Sequence, residues 1–251
     1  MLTLLGACSP TRTREPVPAA PPDQAAVARA RSPDAGTPDA PPDAAVAVAI
    51  DARPALAIVD APMAWSAARE ALTLEYRRAH SDPAATDLTI APKVVILHYT
   101  AGSSAGGTRR YFDNAQIEAS RPELRRAGKV NVSSHYIVDR DGTIYRLQPD
   151  TRFARHCIGL NHVAIGIENV GDDKKWPLTA AQVTANAALV RELAATHAIT
   201  HLLGHHEVMG LRDHAYYVEL DPAYKNSKPD PGDAFMTKVR AEVADLKLAG
   251  P

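Results

Sequence analysis

The sequence predicts an α/β domain with a mixed central β-sheet flanked by helices, preceded by a long tether. Two apolar segments, residues 94–97 and 163–171, are typical of strands buried on both faces of a sheet. Residues 133–147 alternate on either side of an Asp-Gly pair, as a β-hairpin does. Residues 179–197 carry apolar side chains at helical spacing. Strands and helices alternate without a repeat, which favours one mixed sheet.

The first helix is predicted in "MAWSAAREALTLEYRRAH", residues 63–80. Its apolar side chains recur at the spacing of an amphipathic helix, at Trp65, Ala68, Leu72 and Tyr76. The apolar strand "VVIL" follows, and "ITHLLG", residues 199–204, is predicted to be a further short strand.

The hairpin and the second long helix have sequence signals at their ends. Asp141 and Gly142 occupy the predicted hairpin turn, a dipeptide that suits the positive φ angles of such turns. Thr179 and Gln182 form a capping-box pattern, which predicts that a helix begins there and continues to about residue 197.

Residues 9–62 are predicted to be a disordered linker. They include no Phe, Tyr or Trp and consist mostly of Ala, Pro, Asp and Arg. Recurring prolines interrupt helix nuclei, and no large side chain is available for a core. A small helical domain around residues 44–50 is the alternative, but that run is short and bounded by prolines. The folded domain is therefore predicted over residues 63–248.

The N-terminal residues 1–8 are predicted to be a partial signal segment. Leu5-Gly6-Ala7-Cys8 resembles a bacterial lipobox, in which the cysteine is lipidated after cleavage. The apolar run is shorter than such motifs normally require, so we expect the natural start to lie upstream. Because serine follows Cys8, we expect an anchor in the outer membrane and a periplasmic domain. A chance cysteine near the terminus is the alternative.

The charge, cysteine count and length of the chain limit the kinds of partner and fold to expect. A formal net charge of -1 and a pI near 6.8 leave no basic footprint, so nucleic acid is not an expected partner. Two cysteines do not form a disulfide framework, and we expect Cys157 to be a lone thiol. At 251 residues the chain is long enough for one sizeable core, and we expect a monomer.

Five polar residues stand where apolar or turn residues would be expected. His98 ends the first apolar strand, Glu168 lies inside the second, and His205 follows a glycine at the end of a third. Lys228 and Asp230 each precede a proline, which favours extended geometry and side chains pointing the same way. Singly each has an ordinary structural explanation, but together they form the inventory of a catalytic zinc site with an open fourth position.

The motifs around these residues also resemble a known family. "VVILHYTAG", "VSSHYIVDRDGTIYRL", "ARHCIGLNHVAIGIENVG", "LLGHHEV" and "KPDPGDAF" are similar in order and character to the zinc-dependent N-acetylmuramoyl-L-alanine amidases. This is the amidase type 2 group, which includes the AmpD-like enzymes and is related to phage T7 lysozyme and the peptidoglycan recognition proteins. The resemblance covers residues 65–243. It implies zinc ligation by His98, His205 and Asp230, and catalytic roles for Glu168 and Lys228.

The resemblance implies a hydrolase that acts on peptidoglycan or muropeptides. A zinc-activated water would attack the amide between the lactyl group of N-acetylmuramic acid and L-alanine. Glu168 would accept and return the proton, and Lys228 would stabilise the oxyanion. The main alternative is a peptidoglycan-binding module that keeps the fold without turnover. A purely structural envelope lipoprotein would leave Glu168 and the Lys-Pro-Asp-Pro-Gly segment unexplained.

One departure from the family pattern concerns residues 206–227, which separate the second histidine from the aspartate. We expect this insertion to be a lid or part of a substrate groove. It leaves His206 and His214 as rival ligands, and His205 is preferred because it directly follows the glycine. His135 and His156 lie in matching motifs and are expected beside the ligands or in the groove.

Overall fold

The computed structural model describes residues 56–225 and 227–251 of the chain. The predicted lipobox with Cys8, and the linker up to residue 55, lie outside the described residues. None of the helices in the described part is both long and apolar enough to cross a bilayer.

The described residues form six strands, five α-helices and two 3₁₀ helices. The strands are β1 (Ile58–Asp60), β2 (Val94–Tyr99), β3 (Tyr136–Val138), β4 (Ile144–Arg146), β5 (Ala164–Asn169) and β6 (His201–Gly204). The α-helices are α1 (Ala67–His80), α2 (Ala105–Asp113), α3 (Pro122–Arg126), α4 (Ala180–Thr196) and α5 (Asp233–Glu242). The 3₁₀ helices span His205–Leu211 and Ala244–Leu246.

All six described strands join one sheet in the order β1-β4-β3-β5-β2-β6. The β3–β4 pair is antiparallel, and every other pair of neighbours is parallel. The predicted fold class, an α/β domain with a mixed central sheet flanked by helices, is confirmed.

Both faces of the sheet are covered. β2 contributes Val95 and Leu97 to the core beneath α4 and α5, and Val94 and Ile96 to the core on the opposite face. Strands that are buried on both faces read as continuous apolar runs, which explains the "VVIL" segment. α2 packs over the second face through Ala105 and its neighbours.

The predicted local signals hold at the hairpin and at α4. Thr179 Oγ1 accepts a hydrogen bond from Gln182 N at 3.2 Å, and Gln182 Oε1 accepts one from Thr179 N at 2.9 Å, so the capping box is formed. The β3–β4 hairpin turns at Gly142, whose φ of 90° lies in the region that glycine adopts without strain.

Helix α1 is present, but its buried face differs from the apolar stripe that predicts it. Ala68 is exposed, whereas Arg69 is 1% exposed. The Arg69 guanidinium donates to the carbonyls of Phe112 and Asn114 at the end of α2, at 2.6 and 3.0 Å. The helix is therefore held by a buried cation that satisfies backbone acceptors, a contact that apolar periodicity does not record.

The described sheet begins before residue 63, the predicted start of the folded domain. Strand β1 falls inside the segment predicted as linker and pairs with β4 along Ile58, Val59 and Asp60. Leu56 and Ile58 also pack against the main core. Three residues recruited to a sheet edge by backbone hydrogen bonds need little apolar pattern of their own, which is why composition did not separate them from the linker.

Candidate metal centre and catalytic cleft

The central strands bring the candidate site residues to one end of the sheet. β2 and β5 are parallel and in register, with His98 opposite Glu168. Opposed residues in a parallel pair point to the same face, so both side chains share the face that α4 and α5 leave free. β6 pairs with β2 as far as Gly204, and His205 follows as the first residue of the 3₁₀ helix. The carboxyl ends of three neighbouring strands thus place three polar side chains at the same end of the sheet.

Two of these side chains meet Asp230 in a compact cluster. His98 Nδ1 lies 3.0 Å from His205 Nδ1 and 3.2 Å from Asp230 Oδ2, and His205 Nδ1 lies 3.3 Å from the same oxygen. His98 is 2% exposed and Asp230 is 6% exposed. The structure therefore brings together all three residues predicted as metal ligands, in a group that could hold a metal ion.

The electrostatics of the cluster fit a cation. Burial, followed by the nearby His205, lowers the pKa of His98 to about 4, so the ring is neutral at pH 7. Burial raises the pKa of Asp230, but its contacts with the rings of His205 and His98 outweigh burial and hold that pKa well below its ordinary value. A neutral imidazole and an ionised carboxylate meeting at this distance need a proton or a metal ion between them. Two nitrogens and one carboxylate oxygen are a donor set that suits zinc and similar divalent metals.

Glu168 lies beside this cluster without being part of it. Its Oε2 is buried and has no hydrogen-bond partner among the described residues. Burial, and then the charge of Asp230, raises the pKa of Glu168 to about 8. An unpaired carboxyl group in such a place is costly to stability, and perturbed carboxyls of this kind are common at catalytic sites.

Lys228 lines the same cavity, which has a volume of about 490 Å³ and also contains His98, His205, Glu168 and Asp230. Within the described residues its ammonium group makes no hydrogen bond or ion pair. The positive charge of Lys228 acts on His98 and contributes to lowering the pKa of that ring. A free cation beside the cluster is suited to an anionic substrate group or to charge that develops during reaction.

Comparison with known proteins identifies the family. Residues 88–233, more than half of the chain, match the family described as Amidase_2, N-acetylmuramoyl-L-alanine amidase. The chain belongs to this family. The resemblance of the sequence motifs to the amidase type 2 group is therefore confirmed.

Individual relatives of this amidase-family chain align with it over shorter segments or at low sequence identity. The endolysins of Escherichia phage T7 and Enterobacteria phage T3 are 33% and 32% identical to it over 100 residues. Each alignment covers 38% of this chain and 66% of the phage protein. Among solved structures, the endolysin N-acetylmuramoyl-L-alanine amidase LysCS from Clostridium intestinale aligns with a TM-score of 0.47 and 21% identity, over 75% of this chain and 95% of that one.

The rival ligands of this amidase domain lie outside the three-residue cluster. His206 Nδ1 is 3.1 Å from the Asp230 carbonyl, and its Nε2 is 2.8 Å from Asp233 Oδ1. A second group that could hold a metal ion consists of His206, Glu207 and Asp233. Both carboxylate oxygens of Glu207, however, accept hydrogen bonds from Arg240, at 2.7 and 2.6 Å. That carboxylate is therefore already neutralised by an arginine.

His214 and Cys157 have roles outside the cluster as well. The His214 ring packs against His201 and Tyr216, with centroids 5.0 and 4.6 Å away. Cys157 is a buried free thiol in the cleft wall.

Hydrogen bonds join the described part of the insertion to the rest of the domain in this structure. Val218 N donates to Gly159 O at 2.8 Å, and Leu220 N donates to His80 O at 3.0 Å. The carboxylate of Glu219 lies 2.7 Å from His80 Nδ1, with both side chains 6% exposed. Because Tyr224 of the insertion also lines the cavity, the expectation of a lid or a groove element stays a prediction.

Sequence reasoning missed several other residues that line the cleft. Arg155 is buried and donates to the carbonyls of Leu124, Gly128 and Val130, and to the Tyr224 hydroxyl at 3.1 Å. Tyr224 belongs to the insertion and lines the cavity together with Tyr111 and Arg121. A lone arginine in a loop carries no pattern that distinguishes such a role.

We expect the His80–Glu219 contact to stabilise the insertion. The His80 ring also contacts the Ala127 carbonyl through Nε2 at 2.5 Å, so His80→Ala leaves a buried carboxylate and a carbonyl without their partner. We expect a loss of about 3–5 kcal/mol in the free energy of unfolding, the usual effect of removing one member of a buried pair. Denaturant unfolding measures this loss, and limited proteolysis reports exposure of residues 212–225.

His197→Ala is the control for that variant. Its ring contacts Asp150 at 3.0 Å and touches no part of the insertion, so proteolysis of residues 212–225 should remain as in the wild type. If His80→Ala resisted proteolysis as well as the wild type does, the His80–Glu219 pair would not anchor the insertion.

Proposed function

We propose that this chain is a zinc-dependent N-acetylmuramoyl-L-alanine amidase. It would hydrolyse the amide between the lactyl group of N-acetylmuramic acid and the L-alanine of the peptide stem. The observation that carries the proposal is the meeting of His98, His205 and Asp230 at one point, with the unpaired carboxyl of Glu168 on the adjacent strand. Family membership supports the same reaction class.

His98, His205 and Asp230 would hold the metal through two nitrogens and one oxygen. A zinc ion bound there supplies a positive charge that acidifies water and polarises a carbonyl group. Glu168 would accept the proton of the attacking water and return it to the leaving amine nitrogen of L-alanine. Lys228 would stabilise the negative charge that develops on the carbonyl oxygen. These groups line one cavity of about 490 Å³, and the scissile amide would lie between them.

The competing function is a peptidoglycan-binding module that does not cleave. Binding without turnover requires neither a complete ligand set nor an unpaired carboxyl beside it. Both are present in this chain, and Lys228 accompanies them. These features support catalysis over recognition alone.

The deciding experiment is parallel digestion of purified sacculi and of soluble muropeptides, with products identified by mass. We expect zinc-loaded protein to release stem peptides with a free L-alanine amino group. Comparison of the two substrates shows which one is preferred. Zinc binding with no cleavage of either would establish the recognition module instead.

We also propose that Cys8 is lipidated and anchors the protein to the outer membrane on the periplasmic side, because Leu5-Gly6-Ala7-Cys8 resembles a lipobox. The Ala- and Pro-rich segment that follows is suited to a tether between membrane and cell wall. Cys8→Ser, expressed behind a complete signal sequence, should move the protein from the membrane to the soluble fraction. Cys157→Ser is the control and should stay with the membrane; membrane retention of Cys8→Ser would refute the anchor.

A further inference from the structure

His156 lies directly behind the candidate ligand His98. Its Nδ1 is 3.0 Å from His98 Nε2, the ring nitrogen that does not face Asp230. Its own Nε2 lies 3.3 Å from the carbonyl oxygen of Ala164 on β5. The two imidazole rings are perpendicular, with centroids 5.2 Å apart. The contacts form a chain from the metal cluster through two rings to the backbone of the sheet.

The donor and acceptor roles in these contacts determine which ring nitrogens of His156 and His98 carry hydrogen. A carbonyl oxygen only accepts, so His156 Nε2 must carry the hydrogen that it donates to Ala164. A neutral His156 then has a bare Nδ1, which accepts a hydrogen bond from the Nε2–H of His98. His98 is left with an unprotonated Nδ1, and this is the atom that faces His205 and Asp230.

We propose that His156 is a positioning residue that holds His98 in the tautomer and orientation presenting Nδ1 to the metal. The inference rests on the proposed metal-dependent function, because it concerns how a ligand is prepared for the ion. A metal-binding histidine commonly donates its second ring N–H to an acceptor that fixes its orientation and raises its basicity. Here the acceptor is a second imidazole, itself oriented by the backbone.

The surrounding chain holds His156 in place. The backbone N–H groups of His156 and Cys157 both donate to Asn161 Oδ1 at 2.8 Å. The His156 ring lies against Gly166, where an added Cβ would come within 2.8 Å of ring atoms Cγ and Nδ1. Glycine is therefore required on β5 at this point to give the ring room, and not for its backbone conformation.

His135 provides a matched control from the same part of the sheet. Gly166 N donates to its Nδ1 at 3.0 Å, and its Nε2 donates to the Arg152 carbonyl at 2.8 Å. Its ring centroid is 5.9 Å from that of His156, but no hydrogen bond links it to His98. Like His156 it is a neutral ring packed beside β5, yet it lies outside the chain of contacts that ends at the cluster.

The experiment measures zinc affinity of the full-length protein by competition with a chromophoric chelator. His156→Phe removes the acceptor and should weaken zinc binding roughly 10- to 100-fold. His156→Gln offers an amide oxygen as acceptor and should recover part of that loss. Gly166→Ala, which displaces the ring without touching a ligand, should weaken zinc binding in the same direction. His135→Phe should lower thermal stability while zinc affinity stays as in the wild type.

A spectroscopic measurement tests the tautomer directly. Long-range ¹H–¹⁵N spectra of metal-free protein should show His98 protonated at Nε2 in the wild type, and a mixture of tautomers in His156→Phe. Zinc affinity equally reduced in His135→Phe and His156→Phe would overturn the inference, since general loosening would then explain both. Unchanged affinity in His156→Phe would overturn it as well. A wild-type protein that binds no zinc would instead refute the proposed function itself.

Discussion

Alanine at His98, His205 or Asp230 should reduce bound zinc from one ion per chain to none and abolish amide cleavage. Each residue supplies one of the three converging atoms, which lie 3.0–3.3 Å apart. Two remaining ligands do not complete a catalytic zinc site, for which three protein ligands are usual. In the histidine variants, loss of one ring also leaves the Asp230 carboxylate buried with fewer partners. Metal analysis by mass spectrometry, with cleavage assayed on the same samples, tests the expectation.

His214→Ala is the matched control for these variants. Its ring packs on His201 and Tyr216 and supplies no atom to the cluster, so zinc content and cleavage should both persist. His206→Ala should also retain both, because His206 contacts the carbonyl of Asp230 and not its carboxylate. Loss of zinc in either control would reassign the ligand set. Full activity of chelator-treated, metal-free protein would refute the mechanism.

The candidate site was predictable in part because polar residues interrupt strands that are otherwise apolar. A histidine at the end of "VVIL" and a glutamate inside "IGIE" are polar residues in strands that otherwise have buried apolar character. Free energy disfavours such placements unless the groups are used or paired. Local pattern alone, however, does not reveal that the two strands are neighbours. The opposition of His98 and Glu168 follows from the strand order β5-β2-β6, which is a property of the whole sheet.

Other parts of the fold depend on polar contacts between distant segments. Arg69 and His80 form part of the buried face of α1 because they meet backbone carbonyls from residues 112–127. Hydrophobic periodicity assigns such residues to solvent. The insertion is likewise anchored through Glu219 and through backbone hydrogen bonds, which any sequence supplies. Long-range hydrogen bonding leaves no local signature, so these features required the structure.

Replacing Glu168 with glutamine should lower turnover by roughly 10²–10⁴, the usual contribution of a positioned general acid or base. Zinc should remain bound, because Glu168 is not among the three converging residues. Glutamine keeps the size of the side chain and cannot accept the proton of water. Turnover and zinc content are measured on the same preparation. Glu192→Gln is the control. This exposed carboxylate lies on α4, across the sheet from the cluster, and turnover should stay near the wild-type value.

The pH profile distinguishes a base from a merely structural carboxyl. Burial and Asp230 raise the pKa of Glu168 from 4.5 to about 8 in the metal-free protein, and a bound cation would favour the ionised form. Only the ionised carboxylate accepts a proton, so kcat/KM should fall as pH decreases through this pKa. The pH–rate profile of the zinc-loaded wild type should therefore have an ascending limb that the residual activity of Glu168→Gln lacks. Zinc loss in Glu168→Gln would make the residue a ligand. An unchanged limb in that variant would assign the titration to another group.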